Sequence, residues 1–198
     1  MKNELDYFCI EEAFGGNQDW FTDHWMHLGG CAAITACDSC IALEKSGLKE
    51  NLYPFDIRRL CKEDYLAFGM KMKPYLRPRW RGIDRLDIYV DGMMRYLHDI
   101  GNRDLHLEPF ESDRPSHEAM QLVKGQIDKG FPIPFLLLKH DDARFRDLLW
   151  HWFMLVGYDE NGDTPLVKIA TYGKSYFLPF NELWNSGYHN NGGMILFS

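Results

Sequence analysis

Two periodicities divide the chain. Up to about residue 130, apolar side chains recur at helical spacing; beyond it they fall into short runs or alternate. Cys31, Ile34, Cys37 and Ile41 form one stripe of a helix predicted over 31–45, with Gly47 as its C-terminal cap. A second helix is predicted over 56–68, with Ile57, Leu60, Cys61 and Leu66 facing inward. A third covers about 84–100, through Leu86, Val90, Met93 and Leu97, and ends at Gly101. A fourth opens at Ser116 behind Pro115, carries Ala119, Leu122, Val123 and Ile127, and stops at Gly130.

After Gly130 the runs "IPFLLLK" (133–139), "HWFMLVGYD" (151–159), "PLVKIATY" (165–172), "KSYFLPF" (174–180) and "GMILFS" (193–198) read as strands, separated by turn signals such as "DENGD" and Gly173. "FNELW" reads as a single helical turn. Helices first and an antiparallel sheet second predict an α+β fold of two layers meeting along a cleft. One domain is expected over 1–198, with a helical lobe over about 1–130 and a sheet lobe over about 131–198. In that order a group on the first helix faces a group on a sheet strand across the interface.

Composition narrows the function classes. The 198 residues are 45% hydrophobic and 15% aromatic, enough for a full core. A net charge of -7 argues against a general binder of nucleic acid or of membrane surfaces. The basic stretch "KMKPYLRPRWRGIDR" (71–85) is either a solvated connection or a rim that attracts acidic partners. No apolar run is long enough to span a membrane. "MKNELDYFCIEEAF" lacks the form of a secretory signal, so a cytoplasmic chain is expected, secretion requiring a leader already removed. The five cysteines are read as reduced thiols.

The chemistry candidates centre on Cys31. A helix N-terminus favours the thiolate through its free N–H groups and dipole, and Gly29-Gly30 admit close approach of backbone or substrate. A buried core cysteine is the competing reading. His151, opening an apolar strand, suits the role of base if Cys31 lies opposite. Cys37 and Cys40, with His24 and His27, could be written as a zinc site. A single C-x-x-C inside a continuous helix lacks the geometry for it, and neither a metal nor a cofactor is expected.

Three stretches resemble the papain-like cysteine peptidases, close to the bacterial branch that includes double-glycine leader peptidases. "GGCAAITACDSCIAL" resembles the nucleophile helix, "HWFMLVGYDENG" the histidine strand, and "VKIATYGKSYFLPFNELW" the strand and hairpin that follow. The resemblance implies a papain-like fold with an active-site cleft between its lobes, a Cys31–His151 pair, and acyl transfer through a thioester on a peptide or small amide substrate. It assigns Gln18, in "GGNQDWF", to the oxyanion hole. Gly30, Trp152 and Trp20 would lie on the substrate side, with Trp152 packed over the imidazole. The chain departs from the family at the residue that orients the imidazole. Ala170 stands there and can form no side-chain hydrogen bond. Thr171 is the next candidate, though alternation turns it to the opposite face from Ala170; Asp141, Asp142 and Asp147 are others. Ala170 also supports a second reading, a binding module that keeps the cleft and has lost turnover.

Overall fold

The computed structural model describes residues 1–198. Its elements run β1 (Lys2–Glu4), β2 (Cys9–Ile10), β3 (Ala13–Phe14), α1 (His24–Gly29), α2 (Cys31–Lys45), α3 (Lys62–Met72), α4 (Leu86–Asp99), β4 (Leu107–Glu111), α5 (Ser116–Asp128), β5 (Ile133–Leu137), β6 (His151–Asp159), β7 (Leu166–Thr171), β8 (Lys174–Pro179), α6 (Phe180–Trp184) and β9 (Gly192–Phe197). The fold is α+β. Seven strands form one antiparallel sheet in the order β4-β9-β5-β6-β7-β8, and β1 pairs with the end of β6 beyond β5. β2 and β3 make a separate small hairpin.

Side-chain alternation along β6 explains its uninterrupted apolar sequence. Trp152, Met154 and Val156 enter one core with α2, α3 and α4; Phe153 and Leu155 enter a second core with α5 and α6. A strand covered on both faces has no polar side to show, so period two disappears from its sequence. Helix α2 lies at the centre of the larger core. Every residue from Cys31 to Leu43 is buried. Its small Ala, Cys, Ser and Thr side chains let neighbouring elements approach from all sides, and Thr35 and Ser39 satisfy their hydroxyls on the backbone of their own helix.

Three expectations are corrected. The sheet is covered by helices on both faces rather than one, because α5 crosses to the side opposite α2. The lobe boundary near residue 130 does not separate helix from strand: β1 and β4, both before it, belong to the main sheet. Pro109 hides β4 from a sequence reading, since it can donate no ladder hydrogen bond; β4 sits at the sheet edge, where that is tolerated. Finally, the second helix starts at Lys62 rather than 56. The Asp56 carboxylate accepts from the Arg58 N–H and holds that stretch as a turn, while Glu63 and Asp64 favour the helix N-terminus a few residues on.

Candidate functional site

Two glycines set the position of Cys31. A Cβ on Gly29 would stand 2.5 Å from the Arg79 carbonyl oxygen, and one on Gly30 would stand 2.4 Å from that of Met26. Only glycine permits α1 to turn this sharply into α2, with Gly30 as N-cap and Cys31 as the first helical residue. Cys31 is 4% exposed. Backbone N–H groups of Trp152, Ala32 and Cys31 itself favour its thiolate, as expected for a helix start. Burial outweighs them and pushes the thiol up to about 11.

His151 sits at the start of β6, also buried, and burial pulls its imidazole down to about 4. Its Nε2 lies 2.8 Å from Thr171 Oγ1. Sheet register accounts for this pairing. Met154 stands opposite Ala170, so Thr171 falls opposite Phe153 and shares the face that carries His151. Ala170 lies on the α2 side with Met154. The residue that meets the imidazole is therefore Thr171, and its being on the opposite face from Ala170 is what brings it there. Asp142 instead binds Arg144, and Asp141 lies beside His140; neither they nor Asp147 hydrogen-bonds His151.

Tyr172, not singled out in the sequence, stacks flat on the imidazole, with ring centroids 4.7 Å apart and planes 6° from parallel. It occupies the tight turn between β7 and β8, where Tyr172 has φ 49° and Gly173 φ 71°, the positive pair that suits a right-twisted hairpin. A tyrosine in the left-handed region is strained by about 1–2 kcal/mol. Trp150, on the other side of His151 along the chain, also has positive φ. The signal available in the sequence was "TYGK", a two-residue turn with Gly second.

The hairpin turn reaches the N-terminal segment. Phe14 N–H donates to the Gly173 carbonyl at 2.9 Å, and Gly173 N–H donates to that of Gly16 at 3.1 Å. Gly16 N–H also donates to the Asp38 carboxylate, which accepts from the hydroxyls of Tyr7 and Tyr65 at 3.0 and 2.6 Å. Asp38 is fully enclosed, and burial raises its carboxyl to about 6 in spite of those three donors. This clamp holds the segment leading to Gln18. The Gln18 Nε2 donates to the His27 carbonyl oxygen at 2.6 Å, leaving one amide N–H uncommitted, while Oε1 is buried without a partner.

Gln18, Cys31, Asp38, His151, Thr171 and Tyr172 line one small cavity of about 20 Å³. That is room for about one water. No hydrogen bond joins the thiol to the imidazole in this closed arrangement. Of the expected substrate-side residues, Trp152 lines the cavity but does not cover the imidazole, and Trp20 lies outside the lining. The Trp152 ring stacks on Tyr89 at 4.4 Å and donates from Nε1 to the Ile83 carbonyl, so Tyr172, not Trp152, covers the imidazole. Trp20 packs edge-on against Tyr65 with Lys62 above it, outside the cavity lining. Gly30 acts through its cap geometry.

Cys37 and Cys40 are wholly buried among core residues, and His24 and His27 are exposed; no group of His, Cys, Asp and Glu converges to hold a metal. A larger groove of about 700 Å³ lies over α4, lined by Ile88, Met94, Arg95 and His98 among others, but it contains no nucleophilic side chain beside a base. No helix is long and apolar enough to cross a membrane. No family model matches the chain, and no curated protein or solved structure matches it.

Proposed function

We propose that the chain is a papain-like, thiol-dependent hydrolase of a peptide or amide bond, with Cys31 as nucleophile and His151 as base. The observation that carries this reading is the convergence on one cavity of a cysteine at a helix start, an imidazole hydrogen-bonded to a hydroxyl, and a glutamine amide. With Nε2–H donating to Thr171, the imidazole keeps Nδ1 free to take the thiol proton. Sγ then attacks the acyl carbon. The oxyanion is met by the Cys31 N–H and the uncommitted Gln18 N–H. Collapse expels the amine, which leaves with the proton from His151, and a thioester remains. Water hydrolyses the thioester with His151 again as base, and the thiol is restored.

The closed state is latent. Burial raises the thiol to about 11 and lowers the imidazole to about 4, so both groups favour their neutral forms in this closed arrangement. Water entering the cavity relieves that desolvation and moves both groups back toward ~8.5 and ~6.5. Ingress of substrate and water is thus the activating step.

The same burial is the specific observation that favours the second reading, a papain-like binding module in which the pair never ionises. Labelling with iodoacetamide across pH 5 to 10, with each cysteine followed by mass spectrometry, separates the two. A hydrolase labels at Cys31 near neutral pH, and His151→Ala slows that labelling by about 100-fold. Labelling of Cys31 that begins only as pH nears the buried-thiol value, indifferent to His151→Ala, selects the binding module.

A further inference from the structure

The basic stretch noted in the sequence forms a wall of the nucleophile. A Cβ on Gly82 would lie 3.9 Å from Cys31 Sγ and 3.9 Å from the Trp150 carbonyl oxygen. Gly29, immediately before the nucleophile turn, packs on the Arg79 carbonyl, and Ile83 accepts from the Trp152 indole. Residues 79–83 therefore bridge the start of α2 and the start of β6. Outside this bridge lies an open groove of about 450 Å³ lined by Trp80, Arg81, Lys139 and Trp150.

The groove's chemistry differs from that of the molecule around it. The chain carries a net charge of -7, yet the groove lining holds two cations and no acid. Neither Arg81 nor Lys139 forms an ion pair. Arg81 lies over the Trp150 ring at 5.7 Å and Lys139 over the Tyr188 ring at 5.6 Å, leaving their charges unneutralised. Exposed Arg79 adds a third cation without an acidic partner on the same bridge. Trp80 is 75% exposed, the most open aromatic side chain in the molecule. Unpaired cations beside open indoles recruit carboxylates and cover apolar stems; in an otherwise acidic surface they also steer an anion to this spot.

Resting on the reading of Cys31 as the reacting centre, we propose that this groove is the substrate-recognition subsite and that it takes an acidic peptide segment, interleaved with apolar residues, next to the bond presented to Cys31. Arg81 and Lys139 bind the carboxylates, and Trp80 and Trp150 the apolar side chains between them. Single-stranded nucleic acid, which also uses cations and stacking, is the less favoured occupant: the chain as a whole carries a net charge of -7, which opposes a polyanion.

The test uses full-length Cys31→Ala protein, so that binding is read apart from turnover. The probes are fluorescein-labelled peptides of Glu-Gly-Leu repeats, their Lys-Gly-Leu counterparts, and a single-stranded oligothymidine, followed by anisotropy at low and high salt. The Glu peptide is expected to bind at least about tenfold tighter than the Lys peptide and to weaken with salt. Charge reversal by Arg81→Glu with Lys139→Glu, in protein shown folded by circular dichroism, is expected to abolish that preference. Trp80→Ala, at a site too exposed to affect folding, is expected to weaken the Glu peptide several-fold. Equal affinity for the two peptides, tighter binding of the oligothymidine, or a preference that survives charge reversal overturns the proposal. Peptide preference without His151-dependent labelling of Cys31 would leave the subsite standing and remove the hydrolase; the converse result would do the reverse.

Discussion

His151 is held from three directions. Thr171 meets its Nε2, Tyr172 covers its face, and Phe153 lies beyond at 6.3 Å. Each contact has a separable consequence. Replacing Thr171 by Val deletes the hydroxyl while keeping the branched shape, leaving the ring free to turn and Nε2 without a partner. Iodoacetamide labelling of Cys31 at pH 7 is expected to slow by about tenfold or more, with recovery in Thr171→Ser. Tyr172→Gly relieves the positive-φ strain but uncovers the imidazole. Stability is expected to change by no more than about 1 kcal/mol, while the His151 value measured by NMR titration rises from about 4 toward the ordinary histidine range. A turn that keeps a strained tyrosine where glycine or asparagine would fit better is explained by what the tyrosine covers.

At the level of elements, α2 does two jobs from one face. Cys31 opens it, and Asp38, two turns on, ties down the segment that carries Gln18. Asp38→Ala would strand the Tyr7 and Tyr65 hydroxyls and the Gly16 N–H in the core. A loss on the order of 2–4 kcal/mol in urea unfolding is expected, with a smaller loss for Asp38→Asn, which keeps one acceptor. The start of α2 could be read from the sequence because its determinants are local: two glycines, a cysteine and an apolar stripe. The β6 strand could be read equally well, because its apolar run is continuous. Asp38 could not, since its partners Tyr7, Gly16 and Tyr65 lie far off along the chain and only packing selects them. Thr171 was legible as a candidate but not as the choice. Which of two neighbouring residues meets the imidazole depends on the β6–β7 register, and no side-chain pattern states that register.

Across the whole molecule, two buried groups oppose each other in their response to pH. The Asp38 carboxyl takes its proton at about 6 in the folded chain and 3.8 in the unfolded one, so its contribution to stability is full below 3.8 and is lost as pH rises through 6. His151 runs the other way. Its folded value of about 4 lies below the unfolded 6.5, so its contribution is present above 6.5 and is lost as pH falls toward 4. Between pH 6.5 and 4.5 the two run in opposite directions and offset each other. Stability in urea unfolding is expected to change less across that window in the native sequence than in either single variant. His151→Gln should gain stability as the pH falls, and Asp38→Asn should lose it.

The bonds between Gly173 and residues 14–16 have a consequence for the chain as it is made. Cys31 and Gln18 leave the ribosome early, whereas His151, Thr171 and the hairpin turn that closes over them come from the last quarter of the sequence. The nascent chain therefore carries its thiol and the Asp38 half of the clamp before His151 and the Gly173 half exist. Assembly of the cavity waits for the β7–β8 hairpin, so a truncated product that ends before β7 lacks the Thr171 and Tyr172 contacts that hold His151, whatever part of the helical core it manages to fold.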